Sequence, residues 1–184
     1  MGQLFARLHW HVCTVFIVFC LSMFYPVLTT RILSVRHDLS PSESVSAPAP
    51  IFRPAAFIPL AFLFWNAGDL LGRLVAAAPA LAMLRRSPRL LLLAATARLI
   101  FLPLYGLCNL DGDGAAIASD LFYVLVVQMG FGLTNGCFGS LSMMAAAEDV
   151  DDGEREAAGA FMCLCLVAGL SVGSLLSFLA AAVF

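Results

Sequence analysis

The stretch FWNAGDLLGR, residues 64–73, sets a carboxylate, Asp69, and a guanidinium, Arg73, inside a run that is otherwise apolar from Ala55 to Leu84. An ionised side chain at the centre of a membrane-spanning helix costs about 2.5 to 3.5 kcal/mol on insertion scales. Something must offset that cost. The rest of the chain decides whether a bilayer is the right setting for it.

Hydrophobic residues make up 61% of the 184 and charged residues only 12%, against roughly 45–50% and 25% in globular proteins. A soluble domain of this length could not bury so much apolar surface. Crossing about 30 Å of hydrocarbon takes roughly 20 helical residues, and the chain offers five such runs. Residues 8–30, 121–147 and 157–184 carry no ionised group, 55–84 carries only Asp69 and Arg73, and 90–110 only Arg98. The expectation is an all-α membrane protein, with residues 1–184 as a single transmembrane domain of five transmembrane helices over those runs. Arg7 precedes the first run as in a signal peptide, but the run is too long for a signal core and no small-residue cleavage site follows, so the segment is expected to be retained.

The loops set the orientation. Residues 31–53 are Ser- and Pro-rich and read as extended, RRSPR (85–89) is short and basic, and NLDGDGAAIASD (109–120) and EDVDDGERE (148–156) are acidic turns. Short basic loops stay cytosolic. That puts the N-terminus inside, the 31–53 loop outside, and the C-terminus outside. The protein is expected to be a multi-pass integral membrane protein of the plasma membrane rather than an intracellular one, with the lipid bilayer as its surroundings.

Several functions find no support. The six cysteines are scattered along apolar runs, with only Cys163 and Cys165 close together, and read as free buried thiols rather than as a metal site or disulfide framework. His9 and His11 flank Trp10 where an interfacial aromatic belt is expected, and His37 lies in a loop. No catalytic constellation, cofactor or metal is implied. With a net charge of −2, no lysine and scattered arginines, no nucleic-acid surface or phosphate-binding loop is expected either.

Small residues recur at one-turn spacing: Gly68 and Gly72; Gly132, Gly136 and Ser140; Gly169, Gly173 and Ser177. Such stripes let helix backbones approach closely in lipid. The charges need a further explanation. An i,i+4 pair on a helix is worth only about 0.2 to 0.5 kcal/mol at a wet surface, and even a stronger pair facing lipid is a poor arrangement. Asn66, Asp69 and Arg73 fall at i, i+3 and i+7 and form one polar stripe, while Gln128 and Asn135 share a face further along the chain. Donors and acceptors without a nucleophile suit recognition of a neutral, hydroxyl-rich solute. The alternative is a packing lock in a membrane scaffold or accessory subunit. Arg98 lies about 12 Å into its span from the basic loop, within partial snorkelling reach of the cytosol; it is expected to act as a gate or structural anchor, paired with an acid of residues 148–156 or with another helix.

FIPLAFLFWNAGDLLGRLVAA (57–77) resembles the eighth transmembrane helix of the equilibrative nucleoside transporters, whose pattern there is FN-x-x-D-x-x-GR; here Trp65 stands before Asn66. ARLIFLPLYGLCN (97–109) resembles the ninth helix, Thr134-Asn135-Gly136 the Ser-Asn-Gly of the tenth, and EREAAGAFMCLCLVAGLSVGSLLSFL (154–179) the eleventh. The resemblance implies transport of nucleosides, and in some members nucleobases, by facilitated diffusion with alternating access. It implies a major-facilitator-like architecture in which these five helices are the second bundle, the N-terminal six-helix bundle being missing from this chain. It also implies that Asp69 and Arg73 bind the ribose hydroxyls, that Asn66 supports them, and that Phe62 and Leu170 line the central cavity.

Overall fold

The computed structural model describes residues 2–36 and 49–183. His37 and most of the Ser/Pro-rich loop lie outside the described residues. Among the described residues, five helical segments are long and apolar enough to cross a membrane: Leu4–Thr29, Pro54–Ala76, Pro88–Gly106, Phe122–Glu148 and Asp152–Leu179. The all-α expectation holds.

Prolines explain most departures from straight helices. The first span is α1 (Gly2–Ser22) and α2 (Phe24–Thr29), broken at the turn where Pro26 has no N–H to donate to the Ser22 carbonyl. The second, α3 (Pro54–Ala76), stops short of the expected Leu84. Ala78 is extended ahead of Pro79 (ψ 136°), as a residue before proline prefers, and the chain then turns into the short α4 (Ala82–Arg85). The third span is α5 (Pro88–Ala97), a tight 3-10 turn at Arg98–Ile100, and α6 (Phe101–Gly106). Pro103 deprives Leu99 of its helical partner, and the tightened turn presents Arg98 to the interior. The fourth begins with a wide π-helical stretch, Phe122–Met129, and continues as α7 (Gly130–Glu148). The last is α8 (Arg155–Val183).

The fourth span is the hub. Its buried side includes Phe131, Asn135, Leu141 and Ser142, with α3 against one flank and α1 against another. Glycines set the distance to α3. A methyl group at Gly68 or Gly72 would strike the Met129 or Leu133 carbonyl oxygen, and one at Gly132 or Gly136 would strike that of Trp65 or Asp69. The two stripes mesh. On α8, a methyl at Gly169 would sit 2.7 Å from the Phe16 carbonyl oxygen of α1, and one at Gly173 would strike that of Cys20.

Polar contacts tie the loops together at the two ends. At one end, Arg31 pairs with Asp111, and Asp120 accepts from the Ser34 hydroxyl at 2.7 Å and the Val35 amide at 3.0 Å. At the other, Arg85 lies 3.3 Å from Glu148, Arg7 donates to Glu154 at 3.1 Å, and His11 Nε2 lies 3.0 Å from Asp149 Oδ2. The acids of residues 148–154 are thus engaged by Arg7, His11, Arg85 and Arg155, and Arg98 takes no part. The thiols also differ from expectation: only Cys108 and Cys137 are buried, and Cys13 and Cys163 are exposed on the bundle, where lipid rather than protein can cover an apolar thiol.

Candidate functional site

Asp69 and Arg73 meet one turn apart on α3, the Arg73 Nε donating to Asp69 Oδ2 at 2.8 Å. The second carboxylate oxygen, Oδ1, accepts from Asn135 Nδ2 of α7, also at 2.8 Å. This bond crosses the glycine seam. Asp69 is flanked by Gly68 and Gly72 and Asn135 by Gly132 and Gly136, so the backbones come close enough for two short side chains to touch.

Asn135 also reaches the other way. Its Oδ1 accepts from Arg98 Nη2 at 3.1 Å. Arg98 is only 2% exposed and gives its remaining bonds to neutral groups. Nε donates to Thr134 Oγ1 at 3.2 Å, Nη1 to the Val18 carbonyl at 3.0 Å, and Nη2 also to the Phe131 carbonyl at 3.5 Å. Its guanidinium lies 4.5 Å from the centre of the Phe131 ring, which adds a cation–π attraction. The result is a continuous row across three spans: Arg73, Asp69, Asn135, Arg98.

One end of the row is open. The Arg73 side chain is 54% exposed, against 13% for Asp69. Arg73 and Asn135 border a cavity of about 350 Å3 with Phe19, Ser140, Met143 and Leu166. Among the described residues only Nε of Arg73 is engaged, so its two terminal nitrogens remain available there. A carboxylate that accepts beside a guanidinium that donates can replace water around a pair of neighbouring hydroxyls.

The other predicted residues are placed differently. Asn66 is exposed and its amide folds back to donate to the Phe62 carbonyl at 2.7 Å, so it does not brace the pair. Phe62 is half-buried, edge-on to Tyr25 at 5.1 Å. Leu170 is half-buried on α8, while the α8 residue at the cavity is Leu166, about one turn away. Gln128 is spent elsewhere: its Nε2 donates to Thr29 Oγ1 at 2.9 Å and to the Tyr123 hydroxyl, and its Oε1 accepts from Tyr105 at 3.3 Å. Sequence reasoning noted Asn135 and Arg98 as separate polar residues; the bonds that join Asn135 to Asp69 and to Arg98, and the part played by Phe19, escaped it. Matching glycine pairs around Asp69 and Asn135 were the signal that could have joined the first of these.

The described residues thus form a five-span, all-α bundle with a hydrogen-bonded acid and base whose guanidinium borders a cavity. The comparisons with known proteins give the family. The family model described as nucleoside transporter matches residues 3–182, and the chain belongs to that family. It is 32% identical to the nucleoside transporter FUN26 of Saccharomyces cerevisiae over 184 residues, covering 95% of this chain and 33% of the relative. It is 30% identical to equilibrative nucleoside transporter 2 of Homo sapiens over 163 residues, covering 87% of this chain and 34% of the relative. The chain thus spans about a third of the length of these curated relatives.

Proposed function

We propose that the chain forms one helical bundle of a nucleoside transporter, working by facilitated diffusion with alternating access against a second, six-helix bundle. The observation that carries this is Arg73, a guanidinium half-exposed on an apolar bundle and tied by its Nε to Asp69. Lipid is an unsuitable neighbour for it, whereas a water-filled path between two bundles is a suitable one. The ribose diol occupies the Asp69 and Arg73 groups, and the base lies toward the apolar walls. Nucleobases, lacking the diol, bind more weakly. Residence in the plasma membrane is part of this reading.

The packing-lock reading draws on the glycine seam, but a lock would have no use for the two unpaired terminal nitrogens of Arg73. A chimaera tests the difference, with this chain replacing its matching segment in the yeast transporter FUN26. Arg73→Ala removes a charge-assisted hydrogen bond worth about 1.5 to 3 kcal/mol, so ribonucleoside affinity is expected to fall roughly ten- to a hundredfold. Affinity for the 2′,3′-dideoxy analogue, which has already lost that contact, falls less. Measured per transporter at the surface of intact cells, an unchanged ratio of the two affinities would remove Asp69 and Arg73 from the binding site.

A further inference from the structure

Arg98 is a buried cation with no carboxylate in direct contact among the described residues. The anion closest to it in the hydrogen-bond network is Asp69, one residue removed through Asn135. That bridge has only one orientation. Arginine has donors alone and a carboxylate acceptors alone, so the Asn135 oxygen must face Arg98 and its nitrogen must face Asp69. The amide cannot flip without losing both bonds. With Oδ1 held by Asn135, Asp69 turns Oδ2 toward the Nε of Arg73, and the terminal edge of Arg73 is left facing the cavity.

We infer that Arg98 is a positioning residue for solute recognition: acting through the Asn135 amide, it fixes the rotamer of Asp69 and so aims the free edge of Arg73. Arg98 itself lies away from the solute. Its grip on the Val18 carbonyl of α1 and on Thr134 of α7 holds the far end of the row still, so the near end is preorganised before a ligand arrives. This rests on the proposed reading of Asp69 and Arg73 as the ribose site, but the relay itself can be observed without transport.

In the chain labelled with 15N-arginine and held in lipid nanodiscs, the Arg73 Nε–H resonance is assigned by its disappearance in Arg73→Lys. Arg98→Gln and Asn135→Ala are each expected to displace that resonance in the same direction, and the double variant to displace it no further than either single one. A merely structural Arg98 would leave it in place. If Arg98→Gln fails to fold, Asn135→Ala carries the test, since it cuts the bridge while leaving Arg98 its other three acceptors. An unmoved resonance in folded Asn135→Ala overturns the relay. In the FUN26 chimaera, the preference for a ribonucleoside over its dideoxy analogue is expected to fall about three- to tenfold in Arg98→Lys, which keeps the charge and loses the fork. A chimaera with native Arg98 that takes up both analogues alike would sink the ribose-site reading and leave the relay standing on the resonance. A displaced resonance with an unchanged preference would overturn the positioning role alone.

Discussion

Gly136→Ala adds one methyl group at the seam between α3 and α7, and the structure fixes what it meets. The new carbon would lie 2.8 Å from the Asp69 carbonyl carbon and 3.1 Å from the Arg73 amide nitrogen, whereas carbon atoms rest about 3.5 to 4.0 Å apart. Both obstacles are helical backbone and cannot swing aside, so the helices must part by about 1 Å. Overpacking of this kind costs about 1 to 3 kcal/mol. The same displacement stretches the 2.8 Å bond from Asn135 to Asp69 beyond hydrogen-bonding range, which adds about 1.5 to 3 kcal/mol for a bond to a charged group. The two effects share residues, so their sum of about 2.5 to 6 kcal/mol is an upper range. Thermal unfolding followed by circular dichroism in nanodiscs should show Tm lowered by at least about 2 °C. Gly159→Ala supplies the control, since a methyl there meets nothing within 4 Å. It should melt at or slightly above the parent, because alanine is the better helix former by up to about 1 kcal/mol. If Gly136→Ala melts with the parent and Gly159→Ala, the seam has room that the geometry denies it.

Three further outcomes are expected. A cysteine at Ser87 should react with an impermeant maleimide only after permeabilisation, and one at Ala115 in intact cells, once the exposed Cys13 and Cys163 are replaced; labelling of both from outside would overturn the topology. Gly173→Leu should lower the yield of folded protein by driving α8 off the Cys20 backbone, and a normal yield would make that contact incidental. On the proposed two-bundle reading, residues 1–184 alone in liposomes should show no saturable uptake of uridine or adenosine; uptake that unlabelled nucleoside competes away would require a second copy to supply the other wall.

Hydropathy and charge made the spans legible because lipid imposes a length and a composition on each helix. Helix ends were less legible. The run to Leu84 is uniformly apolar, and only Pro79 betrays that α3 has stopped by Ala76. The Asp69 to Arg73 bond was readable from spacing, since i,i+4 neighbours meet on any helix. Asn66 was misleading for the same reason: it shares the stripe, yet its amide finds the Phe62 carbonyl four residues back, a local competitor that spacing does not rank. Arg98 required knowledge of which helix packs beside it. Its depth in the span left open the acidic loop or another helix, and the 3-10 turn directs it to the second, onto Asn135, Thr134 and Val18.

On the proposed reading, packing and recognition share one origin at this site. An isolated α3 could form the Asp69 to Arg73 bond but would offer nothing to the other carboxylate oxygen. With bulkier residues at positions 68, 72, 132 and 136, Asn135 would stand too far away to serve it. The glycine seam removes that gap and so lets an amide bridge Asp69 to Arg98. A variant that weakens the seam should consequently loosen ligand discrimination as well as stability, whereas one at the cavity edge of Arg73 should alter discrimination while the fold melts nearly as before. The order of effects, rather than the size of either, separates a residue that builds the site from one that meets the solute.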